Sequence, residues 1–594
     1  MKRFLAVVLV CLSFHMLQAE NHEENGYVKR ETMIPMRDGV LLHTTIYQPV
    51  DCGDGRPIII RRTPYSCYPY GEEFRTTDLF STEMHPFTEH NYIVVYQDVR
   101  GRYHSEGTYM NIRPIDGDVN DMTDAYDTIE WLVNNTPNNG NVGICGISYP
   151  GYYSTVAALC GHPALKAASP QAPIGDWFIG DDIHHNGAYM LLDTDIFGQD
   201  VFENREEMLR EPYSPQIDYG EDKYEYYLKL HTTRNIIGAV GNDSILARYY
   251  PFWKEIVDHP DYDEFWESVA HLPKVRDVKP AMLVVAALFD AEDCYGAVQT
   301  YKTLLEQSPG TETYFLNGPW IHGSWRTPDY AGLGEHQWGD GLFDFFFDEV
   351  EYPFFAHYLE GADEKPAAVT LIPSFADNTK HWSALKLDRM PRYRMTRMLL
   401  RNGRKRSSSY TSDPEHPLRY LNPSKKNIRD RSYMADNYVD DSTAFVNFDG
   451  RTTDDTLFLC GPIDVDLRYR TTGEDLDLVV KVLDVAPDGS EMLIRGDVFR
   501  ARYAKGFDKP HFLRPGHREK LHFTLPDIVH YLLPGHHIRV QVQSTWFPLV
   551  DINPQTAVPN IYKAEEKDYK VAEVTILHNF WNRSSISLPI ATLD

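Results

Sequence analysis

The stretch that most constrains this chain is Val142-Gly-Ile-Cys-Gly-Ile-Ser-Tyr-Pro-Gly151. A short apolar run, Val142 to Cys145, stops at Gly146. Ser148 follows, and then Gly151 opens an apolar, helix-compatible stretch from Tyr152 to Cys160. Strand, tight turn and helix with a serine at the apex is the layout of a nucleophile elbow, which lifts a hydroxyl above the C-terminal edge of a parallel sheet. The usual pattern is G-x-S-x-G; here Pro150 holds the fifth position and the glycine falls one residue later. A serine in an ordinary βα loop gives the same local pattern, so the remaining catalytic groups have to be found elsewhere.

At 594 residues the chain exceeds what one core supports, and two or three domains are expected. The net charge of −28 argues against nucleic acid or an anionic membrane surface as a partner. Residues 1–19 have the layout of a secretion signal: Lys2 and Arg3, an apolar core from Phe4 to Leu12, and Ala19 before the cleavage point. No later stretch is long and apolar enough to span a bilayer. The expectation is an exported, secreted or periplasmic protein. Of the seven cysteines, Cys11 lies in the leader. The others lack zinc-ligand spacing; Cys145 and Cys160 sit in apolar runs, and Cys52 and Cys67 are able to pair in an oxidising compartment.

Strands alternating with helices imply an α/β fold, here assigned to residues 26–175 and 276–362. Val28 to Tyr47 reads as antiparallel strands around the turn Arg37-Asp38-Gly39. Ile58–Ile60 and Tyr92–Tyr96 read as buried strands, and Asp121 to Asn134 as a helix. Residues 176–275, rich in aromatics, acids and helix formers, read as a helical cap. Leu342 to Leu359 has amphipathic helical spacing and closes at Gly361. From 366 to 594 short alternating strands such as Ala368–Ile372, Thr456–Leu459, Asp477–Val482 and His537–Val542 predict an all-β sandwich of the jelly-roll kind. Within it, Arg401 to Asp441 is basic, then polar, and reads as loop.

A serine is a poor nucleophile until an imidazole takes its proton, and a carboxylate must fix that imidazole's tautomer. In α/β-hydrolases the three follow in the order Ser, acid, His. After Ser148, the apolar run Ala281–Phe289 ends at Asp290, and the strand Tyr314–Leu316 is followed by His322. Singly, Asp290 reads equally as a helix cap and His322 as a loop histidine. Together with the elbow, they make a catalytic triad the better reading.

The stretches Pro35-Met36-Arg37-Asp38-Gly39, Arg62-Thr63-Pro64-Tyr65, Gln97-Asp98-Val99-Arg100-Gly101-Arg102, Gly146 to Gly151 and Gly318-Pro319-Trp320-Ile321-His322 resemble the cocaine-esterase / X-prolyl-dipeptidyl-peptidase group of serine hydrolases. That resemblance implies an α/β-hydrolase domain with a helical cap and a C-terminal all-β jelly-roll domain. It implies Ser148, Asp290 and His322 as nucleophile, acid and base. The oxyanion hole would be the N–H of Tyr149 and the hydroxyl of Tyr65, although one tyrosine among 38 is equally read as a packed aromatic. Phe289-Asp290-Ala291-Glu292-Asp293 and Gly180-Asp181-Asp182 are similar to stretches of the α-amino acid ester hydrolase branch. There Asp182, Glu292 and Asp293 would form a carboxylate cluster for the substrate's α-ammonium. Ala291 and Cys294-Tyr295 depart from the branch and bear on the acyl side chain. Without a ligand, Glu292 and Asp293 read as acids in a helix's first turn, and Asp181 and Asp182 as caps.

The expected function is cleavage of esters, and some amides, of α-amino acids through an acyl-enzyme, with acyl transfer to β-lactam amines as a further reaction of the branch. The alternatives are an X-prolyl dipeptidyl aminopeptidase or a glutaryl cephalosporin acylase, and, in another class, a non-catalytic glycan-binding protein. No metal or cofactor is expected. The partner is a small-molecule α-amino acid ester or amide, and the resemblance implies a homo-oligomer.

Overall fold

The computed structural model describes residues 23–53, 55–71, 84–201, 219–220, 222–240, 251–425 and 430–593. The predicted leader, residues 1–19, lies outside them. The central sheet has eleven strands. Its middle is parallel, in the spatial order Ile93–Asp98, Arg56–Thr63, Asn138–Ile147, Leu165–Gln171, Ala281–Ala287, Thr313–Gly318 and Val369–Leu371. Antiparallel strands Tyr27–Pro35 and Leu41–Pro49 extend one side. Parallel strands buried on both faces read as near-continuous apolar runs, and every residue of Ala281–Ala287 is buried. Alternation then distributes the side chains: Ile58 and Ile60 pack into one core, and Ile59 into the other, across the sheet.

The helix Asp121–Asn135 starts where the sequence places it. Asn120 accepts from the N–H of Met122 and Thr123 while Thr123 accepts from the N–H of Asn120, a closed capping box. The predicted helix from Leu342 runs on to Glu360 through a π turn at Phe347–Glu351 and ends at Gly361 with φ 78°. The strand predicted at Ala368–Ile372 for the β domain belongs elsewhere: Val369–Leu371 pairs in parallel with Thr313–Gly318, and Leu385–Leu387, also within the predicted β domain, pairs antiparallel with it in turn. The all-β unit therefore begins later than residue 366. Val369–Leu371 is wholly buried, and an apolar strand of that length satisfies its backbone best on the open edge of the first sheet.

The cap carries helices such as Lys223–Leu230, Pro251–Asp258 and Glu264–Val269. It also holds a small three-stranded sheet of two-residue strands, Gly180–Asp181, His184–His185 and Ala188–Tyr189, that periodicity cannot reveal. The C-terminal unit is all β, with an eight-stranded and a four-stranded sheet. It grips the cap directly: His185 Nδ1 lies 2.8 Å from Asp497 Oδ1, Asn186 donates to the carbonyl of Val498 at 2.9 Å, and His184 bonds the hydroxyl of Tyr562. Beneath this contact Arg500 is buried between Asp477 and Asp551 at 2.8 and 2.6 Å. One apolar core runs from the hydrolase sheet through the cap into the β unit. Cys52 and Cys67 are both free thiols. No described helix is long and apolar enough to cross a membrane.

Candidate active site

Ser148 stands between the strand Asn138–Ile147 and the helix Tyr149–Ala158 with φ 65° and ψ −126°, a strained conformation for a residue with a side chain. Its N–H donates to the carbonyl of Gln171 at 2.9 Å, tying the turn to the next strand. The displaced glycine has a steric cause. A Cβ on Gly151 would lie 2.5 Å from the carbonyl oxygen of Gln171, and one on Gly146 would lie 2.4 Å from Cβ of Pro150. The helix can begin this close to the sheet only with glycine at both places.

Two loops bring Asp290 and His322 together. Leu288 and Phe289 donate to the carbonyls of Gly318 and Trp320 at 2.8 and 2.9 Å, which locks the end of one strand to the end of its neighbour. His322 Nδ1 then lies 2.9 Å from Asp290 Oδ2, and Asp290 Oδ1 accepts from the N–H of Glu292 and Asp293 at 2.9 and 3.1 Å. Burial alone would raise the Asp290 carboxyl; the His322 charge and these hydrogen bonds outweigh it and hold the carboxyl below its ordinary value. Burial acts on His322 in the opposite direction, and Asp290 with Glu292 overcomes it, pushing the imidazole up to about 10. Among the described residues, His322 Nε2 makes no hydrogen bond to Ser148; Glu292 Oε2 lies 3.6 Å from it. Such contacts are often long before substrate binds.

Tyr149 sits at the first helical position, where an N–H has no acceptor within the helix. Its ring is packed away, with the hydroxyl 2.8 Å from Asn111 Oδ1. Ser148 lies close enough to the Tyr65 phenol to favour its ionised form. Burial, and after it the Asp182 charge, holds that phenol well above the ordinary tyrosine range. It stays protonated and able to donate.

The two acids of Gly180-Asp181-Asp182 divide the work. Asp181 is structural: Oδ2 accepts from Gly175 and Asp176 at 2.8 and 2.9 Å, and Oδ1 accepts from Gly296 at 2.7 Å. Asp182 has φ 41°, and its N–H donates to the carbonyl of Glu292 at 3.0 Å, which sets it beside the loop after Asp290. Asp293 precedes the helix Cys294–Gln307 yet makes no side-chain cap. Among the described residues, neither carboxylate oxygen of Asp293 and not Oδ2 of Asp182 has a hydrogen-bond partner, and both residues are buried. Burial, and then neighbouring acids, lifts both carboxyls well above their ordinary range. Cap and helix-dipole roles therefore leave Asp182 and Asp293 unexplained.

Sequence reasoning missed Arg431. It enters from the β unit, donates to Asp193 Oδ1 at 2.5 Å and Tyr433 Oη at 3.1 Å, and binds Glu292 Oε1. The only local signal is that it is one arginine in a basic stretch.

One group of described residues has the spacing to hold a metal ion, His43, Cys67 and Asp98. His43 lies 3.5 Å from Asp98 and 3.4 Å from Glu31, and those two acids overcome burial to push it up to about 9, the setting of an imidazolium between carboxylates.

A serine on a strained strand-to-helix turn, with an acid–imidazole pair on the two strand ends beyond it, defines a serine hydrolase of the α/β-hydrolase class. Residues 38–324 match the X-Pro dipeptidyl-peptidase (S15) family, and residues 374–579 the X-Pro dipeptidyl-peptidase C-terminal non-catalytic domain. The fold is similar to that of an aminopeptidase from a marine-sediment Thaumarchaeota archaeon, at 32% identity and a TM-score of 0.87 over 96% of this chain and 97% of that one. It is also similar to an α-amino acid ester hydrolase, at 31% identity and a TM-score of 0.85 over 97% and 100%. A cocaine esterase of Rhodococcus sp. is 24% identical over 95% of this chain and 99% of its own. The chain belongs to the cocaine-esterase / X-prolyl-dipeptidyl-peptidase group of serine hydrolases.

Proposed function

We propose that this hydrolase cleaves esters, and some amides, of α-amino acids through an acyl-enzyme. Ser148 attacks the carbonyl as His322 takes its proton; Asp290 holds the imidazole and balances its charge. The N–H of Tyr149 and the hydroxyl of Tyr65 receive the oxyanion. The leaving group takes the proton back from His322, and water repeats the sequence on the acyl-serine. An amine in place of that water, such as a β-lactam amine, gives acyl transfer.

The observation that carries the substrate class is the pair Asp182 and Asp293, buried beside the loop after Asp290: among the described residues, Oδ2 of Asp182 and both carboxylate oxygens of Asp293 have no hydrogen-bond donor. Groups of this kind are satisfied by an incoming cation. Asp293 follows Asp290 by three residues and Asp182 is tied to the Glu292 carbonyl, so the ammonium they hold stands next to the attacked carbonyl. That geometry supports a single aminoacyl group over an X-prolyl dipeptide, whose ammonium lies one residue further away. A glutaryl side chain needs a free cation, whereas Arg431 is engaged by Glu292 and Asp193. The test is kcat/KM for matched esters with and without the α-amine. A large preference for the amine supports the reading, and equal rates refute it. Export through a cleaved leader at residues 1–19 belongs to the same proposal; N-terminal sequencing of secreted protein beginning near Glu20 would support it, and an intact Met1 would refute it.

A further inference from the structure

Glu292 is placed between two competing cations. Oε1 is bound by Arg431, and Oε2 lies 3.6 Å from Nε2 of His322, the nitrogen that must receive the Ser148 proton. A carboxylate in that position favours the imidazolium and opposes the base form the reaction needs. Arg431 is also anchored from behind: Asp193, buried at the start of the helix Leu191–Val201, and Tyr433 hold the same guanidinium nitrogen. It cannot swing out without leaving Asp193 buried and unpaired. The planar fork of an arginine suits this two-sided grip.

We propose that Arg431, contributed by the β unit, is a positioning residue of the active site that holds Glu292 back from His322 and leaves Asp182 and Asp293 as the acceptors for a substrate ammonium. The part concerning the ammonium rests on the α-amino substrate proposed above; the part concerning His322 does not. The charged groups facing His322 are Asp290, Glu292 and Asp293 by contact and Asp182 at longer range. Those facing Arg431 are Asp193, Glu292 and Tyr433, with Lys223 and Tyr420 near enough to feel both Arg431 and Asp193. Removing Arg431 takes a cation from one side of Glu292 and leaves its charge to His322. The basic form of His322 then becomes scarcer at any given pH.

The experiment uses the full chain and the ester lacking an α-amine, so that a failure of the α-amino reading does not disturb it. The kcat/KM profile is measured against pH for wild type, Arg431→Gln, Arg431→Lys, Glu292→Gln and the Arg431→Gln/Glu292→Gln pair, with circular dichroism as the fold control. Arg431→Gln is expected to raise the acid limb by about one pH unit, read below the limb as about tenfold lower kcat/KM. Arg431→Lys keeps most of the wild-type profile. Glu292→Gln lowers the limb, and in that background Arg431→Gln costs less than about threefold, because the charge it was holding is gone. An unmoved limb in Arg431→Gln, or a loss of the same size with and without Glu292, overturns the proposal. If Arg431→Gln does not fold, Glu292→Gln alone decides: an unmoved limb there overturns it equally. The α-amine preference of wild type is read separately, and its absence would refute the substrate proposal while leaving this one standing.

Discussion

Asp182→Asn isolates the charge recognition at the centre of the proposed activity. Asparagine is isosteric and tolerates the left-handed conformation found there at φ 41°, and the hydrogen bond from its N–H to Glu292 is unaffected. The substitution therefore removes a charge and little else. A charge pair about 4 Å apart at an effective dielectric of about 20 contributes about 4 kcal/mol. Less than that is lost here. Burial, and after it Glu292, keeps the Asp182 carboxyl well above its ordinary range, so part of the interaction is spent removing its proton when a cation arrives. Asp293 also remains as a second acceptor. A net loss of about 1.4 to 2.8 kcal/mol corresponds to about 10- to 100-fold in kcat/KM for an α-amino ester. The matched ester without the amine should change by less than about threefold, since it brings no ammonium to that charge and Asp182 acts on His322 only at longer range, after Asp290 and Glu292. The assay is initial-rate hydrolysis of both esters by wild type and variant at one pH. Equal losses on the two esters would show that Asp182 only holds the loop, and the reasoning from unpartnered carboxylates would fail with it.

Ser148→Ala should lower kcat by about 10⁶-fold with the fold intact, and activity within tenfold of wild type would remove it from the mechanism. Tyr65→Phe should lower kcat by about 10²- to 10³-fold with little change in KM; an unchanged kcat would leave Tyr65 as packing. His322 rises to about 10 in the empty site, so kcat/KM for an ester without the amine should keep climbing above about pH 8, whereas kcat for an α-amino ester should level off lower, because the bound ammonium offsets Glu292 and Asp182. The same shift has a sign for stability: a folded pKa above the ordinary value of about 6.5 stabilises fully below that value, and the contribution is lost as pH rises toward about 10. Thermal melts of wild type and His322→Gln should therefore converge as pH rises from about 6 to about 10; a gap that widens would contradict it. Gly151→Ala should destabilise by about 1–3 kcal/mol or abolish expression, because its methyl group would meet the Gln171 carbonyl at 2.5 Å; an unchanged Tm would refute the steric account of the displaced glycine.

Much of this site was readable because its signals are local. Ser148 follows an apolar strand and precedes a helix, Asp290 and His322 each follow a strand, and periodicity reports all three settings. The edge strand Val369–Leu371 reads as part of the β domain because so few alternating residues carry no record of which sheet they join. The division of labour between Asp181 and Asp182 was hidden for a similar reason, since adjacent acids differ only in which way the backbone turns them. Arg431 was out of reach altogether. Its partner Glu292 is 139 residues away, and the contact exists only once the β unit has docked.

That docking has a consequence for the order in which the protein is made. The proposed nucleophile, acid and base are all on the chain by residue 322. The residues that seat the cap strands beside Asp182, namely Asp497, Val498 and Tyr562, are translated last. A nascent chain with its first sheet complete still lacks the support that holds its acidic pocket in register. On the proposed function, maturation of selectivity waits on the C-terminal unit, and a chain interrupted there would carry the proposed triad without the contacts that seat its acidic pocket.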